Sequence, residues 1–279
     1  MLTEKILLSD ICPALPDNGA YMTAYVLDES RELPRDPRPS IVVFPGGGYS
    51  FTSDREAEPV ALYFLRLGYN VFVVRYSCAP VRHPQPLLQA AVAVSYVRGH
   101  SEQYHIDPEK IAVMGFSAGG HAAGMISVHW NDPMIKETLG IDCEQCRPNA
   151  SLLCYAVITS GEHANRGSFD NLLGDDRDNA ELLEYTSVEK AVGGHCPPAF
   201  IWCTVDDDAV PSENSLMLAA KYKQCGIPFE LHMFGSGPHG LALADRTTAI
   251  DWIKTADVGH MAVWAELCNC WMSKMWHLD

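Results

Sequence analysis

Short apolar runs alternate with longer amphipathic stretches along most of this chain. The predicted strands are the runs at 41–44, 71–74, 111–114, 151–154, 200–203 and 229–234. Helical spacing of apolar residues predicts helices over 56–67, 86–99, 118–129, 212–224 and 261–276. Most runs are apolar at nearly every position, which is typical of parallel strands covered on both faces. The alternation therefore predicts an α/β fold, in which right-handed crossovers place helices on both faces of a mostly parallel sheet.

Segments outside this alternation extend the predicted architecture. Met22–Leu27 and part of the first ten residues predict additional edge strands that run antiparallel to their neighbours. The 279 residues suit one large domain, 1–279, better than two small ones. The stretch at 156–199 is long for a simple connection and carries a helical pattern at Ala180–Tyr185. We predict that it forms a small excursion over the strand ends, where such insertions shape pockets.

The charge balance and the absence of long apolar segments narrow the class of protein. The chain has 20 Lys and Arg against 35 Asp and Glu, a formal charge of −15, and it has no basic stripe. Nucleic-acid partners are therefore not expected, because phosphate binding depends on clustered Lys and Arg. There is no basic segment before an apolar run at the N-terminus, and no run approaches the ~18 residues that span a bilayer. We expect no membrane association and a cytoplasmic location.

The ten cysteines do not form a recognisable disulfide or metal pattern. Cys154 and Cys203 lie inside predicted core strands, where a free thiol packs as a small apolar group. The Cys143-x-x-Cys146 pair lacks a second ligand pair at zinc-finger spacing. The sequence therefore predicts reduced cysteines, no metal site and no cofactor.

A nucleophile motif lies directly after the predicted strand 111–114. Gly115–Gly119 reads G-x-S-x-G, and a helical pattern follows it. A sharp turn from strand to helix exposes the hydroxyl of Ser117, and small flanking residues leave room for that turn. The helix start also directs backbone N–H groups at developing negative charge. Ser117 is therefore the predicted nucleophile.

The base and the carboxylate that a serine nucleophile needs follow later strands in the expected order. Gly237–Gly240 follows the strand that ends near residue 234 and contains His239, the predicted general base. Asp206–Pro211 follows the strand that ends near residue 203. Asp207 begins the pattern D-x-x-V-P and is the predicted acid, with Asp208 as the alternative. The remaining aspartates are expected to be solvated or to cap the helix near residue 212.

A glycine-rich loop follows the first central strand. Pro45–Tyr49 reads P-G-G-G-Y, and glycines allow the main chain to approach a substrate closely. Backbone N–H groups of this loop are therefore predicted to stabilise an oxyanion, together with the N–H of Ala118, the residue after the nucleophile. Gly46 and Gly47 are the predicted loop donors, and Gly48 is the alternative.

These motifs together give the chain a recognisable resemblance. PGGGY, GFSAGG, DDDAVPSENS and GPHGL resemble, in this order, α/β-hydrolase fold esterases, in particular the bacterial acetyl-xylan-esterase-like and feruloyl-esterase-like relatives of hormone-sensitive lipase. The resemblance implies hydrolysis of carboxylic esters, often short acyl groups on sugars, without a cofactor. Two features depart from the family: Pro45 replaces a histidine before the glycines, and about 40 residues precede the first central strand. The short leading segment implies a small or minimal cap.

One further segment resembles a part of the family that lies beside the pocket. Ser53–Pro59 also fits a helix capping box formed by Ser53 and Glu56, although Pro59 then lies too far inside the helix unless it marks the true first turn. A substrate role for Arg55 or Glu58 is the alternative interpretation.

The sequence therefore predicts a serine carboxylesterase that hydrolyses short-chain acyl esters, above all acetyl esters of carbohydrate, through an acyl-enzyme. A peptidase of the same fold and a feruloyl-type esterase are the alternatives. A binding protein that reuses the fold is disfavoured because the predicted triad is complete. The expected partner is a small-molecule or oligosaccharide ester, and a homo-oligomer is compatible with the sequence.

Overall fold

The apolar runs form a single sheet in the computed structural model, which describes residues 1–32, 36–250 and 258–278. Within these residues the sheet has eight strands in the order β1-β2-β4-β3-β5-β6-β7-β8. The strands are β1 Leu2–Leu7, β2 Tyr21–Val26, β3 Arg38–Phe44, β4 Asn70–Arg75, β5 Ile106–Phe116, β6 Ala150–Cys154, β7 Ala199–Thr204 and β8 Phe229–Phe234. The pairs β1–β2 and β2–β4 are antiparallel, and all other pairs are parallel. The two additional antiparallel strands and the mostly parallel sheet are thereby confirmed, although only β1 lies at the edge and β2 is paired on both sides.

The α-helices follow the predicted alternation. They are α1 Leu8–Ile11, α2 Glu58–Leu65, α3 Gln85–Gly99, α4 Ala118–His129, α5 Pro133–Leu139, α6 Arg166–Leu173, α7 Ala180–Thr186, α8 Val188–Ala191, α9 Glu213–Cys225 and α10 Val263–Trp276. Short 3₁₀ turns cover Asp54–Glu56, Cys143–Cys146, Gly174–Asp176 and Gly259–Ala262. The predicted helix at 56–67 begins later than expected, at α2, where Pro59 lies in the first turn. That outcome confirms the alternative interpretation of Pro59.

Two apolar layers cover the sheet, one on each face. Along β3 the side chains of Ile41 and Val43 join one layer, and those of Val42 and Phe44 join the other; all four are fully buried. Side chains of α3, α4 and α9 lie in the same layer as Phe44, and side chains of α2 and α10 complete the opposite layer. A central strand that is covered on both faces explains why the runs are apolar at every position.

The carboxyl ends of β3, β5, β7 and β8 carry the loops with the predicted functional residues. The connection from β6 to β7 contains α6, a 3₁₀ turn, α7 and α8. In the part of the chain that the structure describes, no helix combines the length and the apolar character needed to cross a membrane. Among the same residues, no cluster of three His, Cys, Asp or Glu side chains could hold a metal ion. Cys154 and Cys203 are free and buried in their strands, as expected.

Candidate active site

The turn between β5 and α4 presents Ser117. Its φ of 54° and ψ of −123° are a conformation that residues with a side chain rarely adopt. A Cβ on Gly115 would lie 2.1 Å from the carbonyl oxygen of Gly119, and a Cβ on Gly119 would lie 2.1 Å from that of Phe44. Only glycine fits at these two positions, so the motif glycines allow β5, α4 and β3 to meet at the turn.

His239 connects Ser117 to Asp207. Its Nε2 lies 2.7 Å from Oγ of Ser117, and its Nδ1 lies 2.8 Å from Oδ2 of Asp207. Because an ionised carboxylate only accepts hydrogen bonds, Nδ1 carries a proton, and Nε2 of the neutral ring offers a lone pair to the hydroxyl. A hydroxyl in this contact can transfer its proton as it attacks a carbonyl carbon.

The pattern D-x-x-V-P has a local structural cause. Oδ1 of Asp207 accepts hydrogen bonds from the N–H of Ala209 at 2.9 Å and from the N–H of Val210 at 2.8 Å. Its side chain is 1% exposed, whereas that of His239 is 19% exposed. One carboxylate oxygen thus anchors Asp207 to its own loop and the other orients the imidazole, which is the geometry expected of the predicted acid.

The two neighbouring aspartates hold the loop that carries His239. Oδ1 of Asp208 accepts from the backbone N–H of His239 at 3.2 Å. Asp206 accepts from the hydroxyl of Ser236 and from the N–H of Gly237, each at 2.7 Å. These two hydrogen bonds, the one from Ser236 foremost, hold the pKa of the Asp206 carboxyl below its usual range. Of the two expectations for these aspartates, exposure to solvent is the one observed: both are exposed, and neither caps α9, because their acceptor oxygens bind the loop after β8.

The glycine-rich loop Pro45–Tyr49 lies against the nucleophile. A Cβ on Gly46 would lie 2.9 Å from Cβ of Ser117. The N–H of Gly46, however, donates to Oε2 of Glu56 at 2.7 Å. The predicted role of Gly46 as an oxyanion donor is therefore corrected: its amide already has a carboxylate acceptor.

Three other amides remain for an oxyanion. Within the described residues, the N–H groups of Gly47, Gly48 and Ala118 have no protein acceptor among the hydrogen bonds of turns and loops. Gly47 and Gly48 have φ values of 130° and 62°, which turn the chain sharply beside the nucleophile. Ala118 is the first residue of α4 and so presents a free N–H. Gly47 and Ala118 thus stay the predicted donors, and Gly48 stays the alternative.

Neighbouring segments brace this loop without the histidine that Pro45 replaces. The hydroxyl of Tyr76 donates to the carbonyl of Pro45 at 2.7 Å. Nδ2 of Asn171, in α6, donates to the carbonyl of Gly48 at 2.8 Å. Because the carbonyls are held from outside the loop, its amides keep a defined direction.

A buried histidine adds a third brace. Burial lowers the pKa of His121 to about 4, so the ring is neutral at physiological pH. Its Nε2–H donates to the carbonyl of Thr186 at 2.7 Å, and its Nδ1 therefore accepts from the hydroxyl of Tyr49, also at 2.7 Å. The loop is connected in this way to α4 and to the end of α7.

A cavity of about 400 Å³ opens above Ser117 and His239. Polar side chains from three segments line it, namely Ser53 and Arg55, Asn165 and Ser168, and Asp208. Phe51 also lines it and is 61% exposed. Glu58 does not reach this cavity; it is exposed and accepts from the hydroxyl of Tyr25 at 3.4 Å.

The segment before α2 differs from its prediction. Ser53 precedes the 3₁₀ turn Asp54–Glu56 but makes no side-chain cap, so the predicted capping box is wrong. Glu56 is 3% exposed, and its Oε2 lies beside Gly46, as does Ser117: a Cβ on Gly46 would lie 2.8 Å from Oε2 of Glu56 and 2.9 Å from Cβ of Ser117. Sequence reasoning missed this carboxylate at the site, because the residues that bind it are distant in the chain.

The amino-acid sequence of the chain also matches a known protein family. A sequence model of the BD-FAE family matches residues 30–222. The chain belongs to the BD-FAE family. This membership places it among the α/β-hydrolase esterases related to hormone-sensitive lipase, and confirms the predicted fold.

Two curated relatives of this BD-FAE member are named as a xylanase and as an acetylxylan esterase. It is 37% identical over 220 residues to endo-1,4-beta-xylanase B of Butyrivibrio fibrisolvens, which covers 77% of this chain and 34% of that protein. It is 31% identical over 214 residues to an acetylxylan esterase of Xylanibacter ruminicola, covering 75% of this chain and 42% of that protein. The chain therefore spans less than half the length of both.

A solved structure matches nearly the whole chain. The acetyl ester-xyloside bifunctional hydrolase of Caldicellulosiruptor lactoaceticus is 38% identical, with a TM-score of 0.81, and the match covers 98% of this chain and 96% of that one. The predicted class of enzyme, a carboxylic ester hydrolase, is confirmed by relatives of this BD-FAE member that are named as esterases and ester hydrolases.

Proposed function

We propose that this chain is a serine carboxylesterase that removes short acyl groups, above all acetyl groups, from carbohydrate through an acyl-enzyme. The observation that carries the proposal is the hydrogen-bonded series of Ser117, His239 and Asp207, with contacts of 2.7 and 2.8 Å at the floor of an open cavity. Such a series activates a hydroxyl for attack on an acyl carbon.

Each residue has one task in the proposed reaction. Oγ of Ser117 attacks the ester carbonyl carbon while His239 takes its proton, and the N–H groups of Gly47 and Ala118 stabilise the resulting oxyanion. His239 then gives the proton to the leaving alcohol, and the acyl group stays on Ser117. A water molecule, deprotonated by His239, attacks the acyl carbon, and the bond to Oγ breaks as His239 returns the proton to Ser117, which releases the acid and the free enzyme. Asp207 keeps the imidazole oriented and stabilises its protonated form.

The walls of the cavity support a short acyl group. A long acyl chain gains about 0.8 kcal/mol for each CH₂ that is buried, but only where an apolar groove receives it. Among the described residues that line this cavity, Phe51 and Ala209 are the ones with apolar side chains, so no row of apolar side chains forms such a groove, and Ser53, Arg55, Asn165 and Ser168 bring polar side chains to it. Such walls suit an alcohol rich in hydroxyl groups, as in the xylan-related names of the relatives.

The exposed ring of Phe51 supports a carbohydrate alcohol. It is 61% exposed at the cavity, although an apolar side chain of this size is ordinarily buried. Sugar rings have apolar C–H faces that pack against an aromatic face. Phe51 is therefore the proposed platform for the sugar that carries the acyl group.

A substrate series tests the proposal. The values of kcat/KM should be measured for p-nitrophenyl acetate, butyrate and octanoate, for methyl ferulate, and for acetylated xylo-oligosaccharides. We expect acetyl esters to be cleaved far better than octanoyl esters, with release of acetate from the oligosaccharides. A kcat/KM that rises from acetate to octanoate would contradict the short-acyl proposal, and a preference for methyl ferulate would favour the feruloyl-type alternative.

The variant Phe51→Ala, assayed on the same substrates, distinguishes recognition of the alcohol from recognition of the acyl group. Its kcat/KM should fall more for acetylated oligosaccharides than for p-nitrophenyl acetate, because only the former bring a sugar ring. Leu62→Ala is the matched control, since Leu62 is an apolar side chain that is 46% exposed and does not line this cavity. Equal losses on both substrates would remove Phe51 from the proposed sugar site.

A further inference from the structure

The carboxylate of Glu56 joins two loops that the proposed reaction depends on. Its Oε2 accepts from the N–H of Gly46, in the glycine-rich loop, at 2.7 Å. Its Oε1 accepts from the hydroxyl of Tyr155 at 2.7 Å. The hydroxyl oxygen of Tyr155 in turn accepts from the N–H of Ala242 at 2.8 Å, three residues after His239.

The carboxylate of Glu56 is buried, and hydrogen bonds to its two oxygens offset part of the cost of that burial. Its residue is 3% exposed, and both of its oxygens face a donor. The hydroxyl of Tyr155 has a single proton, which it directs to Glu56 while a lone pair accepts from Ala242. Burial raises the pKa of the Glu56 carboxyl, and the hydrogen bonds from Tyr155 and Gly46 oppose that rise.

The rest of the same turn is anchored on both sides. Nε of Arg55 donates to the carbonyl of Thr248 at 2.7 Å, in the segment that follows His239. Oδ1 of Asp54 accepts from Arg75 at 2.8 Å, at the end of β4. The turn is therefore a fixed support from which Glu56 reaches the two loops.

Tyr155 also contacts the proposed base directly. The ring of Tyr155 packs edge-on against the imidazole of His239, with centroids 5.1 Å apart and an interplanar angle of 74°. Loss of the hydrogen bond between Glu56 and Tyr155 would therefore disturb two contacts that position His239: the hydrogen bond from the backbone N–H of Ala242 and the packing of the Tyr155 ring.

We propose that Glu56 is a positioning residue for ester hydrolysis, which holds the oxyanion loop through Gly46 and the His239 loop through Tyr155. The inference rests on the roles proposed above for Ser117 and His239. Glu56 does not touch the substrate in this scheme: it sets the relative placement of the amides that receive the oxyanion and of the base that receives the proton. Both placements count in the transition state, where small displacements cost most.

The variant Glu56→Gln tests the inference with little change in shape. The Gln side chain accepts from one donor but presents an NH₂ group to the other, so one loop loses its partner. We expect kcat on p-nitrophenyl acetate to fall about 10- to 100-fold, the range for loss of a hydrogen bond to a charged group. KM should change much less, because the affected contacts act in the transition state.

The pH profile provides a readout that a purely structural role would not move. The groups that face Glu56 are Tyr155, His239, Arg55, Tyr76 and Cys154. Of these, His239 must lose a proton to act as the base. A negative charge at Glu56 favours the protonated imidazole, so Glu56→Gln should move the acid limb of the kcat/KM profile to lower pH.

Tyr155→Phe and Glu189→Gln complete the design. Tyr155→Phe keeps the ring and removes only the hydroxyl, so it tests the His239 connection even if Glu56→Gln folds poorly. It should lower kcat less than Glu56→Gln does, and the double variant should be little worse than Glu56→Gln alone. Glu189 is a carboxylate that is 2% exposed in α8, away from the glycine-rich loop, and Glu189→Gln should keep the wild-type kcat and pH profile.

Two results would overturn the inference. The first is a folded Glu56→Gln variant with the kcat and acid limb of the wild type, differing only in thermal stability as the Glu189→Gln control does. The second is a Tyr155→Phe variant whose kcat and pH profile both equal those of the wild type. Either result leaves the proposed function intact as long as Ser117→Ala is inactive, so the two failures are distinguishable.

Discussion

Two turns meet beneath the cavity, and they are built in different ways. The turn at Ser117 depends on residues that are neighbours in the chain, because Gly115 and Gly119 provide its clearance and α4 begins at the next residue. The turn at Asp54–Glu56 depends on distant residues. Glu56 binds a donor 10 residues away at Gly46 and another 99 residues away at Tyr155.

This difference explains how each turn relates to its sequence. A local turn needs particular residues at fixed offsets, so its motif can be recognised without a structure. A turn that is held by long-range hydrogen bonds needs only a carboxylate, and Ser53-x-x-Glu56 fits a helix cap equally well. The motif at Ser117 therefore predicts its own geometry, whereas the role of Glu56 emerges only from the folded chain.

The largest expected effect belongs to the local turn. Ser117→Ala should remove nearly all ester hydrolysis, because it deletes the hydroxyl that lies 2.7 Å from Nε2 of His239, the proposed base. Triad losses in related chemistry cost roughly 10⁴ to 10⁶ in rate. The assay is p-nitrophenyl acetate hydrolysis by protein whose circular dichroism matches the wild type. Retention of more than a few per cent of the activity by that protein would disprove the assignment.

The next effect separates the three consecutive aspartates. Asp207→Asn should lower kcat by about 10⁴, because the amide favours the wrong tautomer of His239. Asp206→Asn and Asp208→Asn should cost far less, since their carboxylates bind the backbone and Ser236 rather than the imidazole. The three variants form a matched series for kcat and thermal stability. A greater loss for Asp208→Asn than for Asp207→Asn would contradict the interpretation of D-x-x-V-P.

The difference between local motifs and long-range hydrogen bonds also decides which parts of the whole molecule can be predicted from the sequence. The strands and helices are predictable because their apolar periodicity reports burial on a sheet with two covered faces. The hydrogen-bonded series of Ser117, His239 and Asp207 is predictable because each member follows a strand within a local motif. Gly46 shows the limit: its place in the loop is evident, but the acceptor that occupies its N–H comes from another element. Asp206 and Asp208 show the same limit, since their partners lie on the loop after β8.

The smallest expected effect is on the free energy of unfolding, which the buried carboxylate of Glu56 lowers when it is ionised. Burial raises the pKa of Glu56 above its ordinary value of 4.5, despite the hydrogen bonds from Tyr155 and Gly46. The folded protein therefore keeps a proton on this group at pH values where the unfolded chain has lost it. As the pH rises from about 4.5 through the folded pKa, the wild type loses stability relative to Glu56→Gln, by about 1.4 kcal/mol per unit of pKa difference. Below and above that interval the difference between the two proteins is constant.

Urea unfolding of both proteins from pH 4 to pH 8 measures this difference directly. Because the other carboxylates are common to both chains, their titration cancels to first order, and the slope of the difference reports Glu56 together with the His239 imidazole that is electrostatically coupled to it. A wild type that gains stability over Glu56→Gln as the pH rises would mean that the hydrogen bonds to the carboxylate outweigh its burial. The expected opposite sign would show a site that keeps a charge at a cost in stability. That outcome, together with the loss of kcat in Glu56→Gln, is what distinguishes a positioning residue from one that merely fills a buried space.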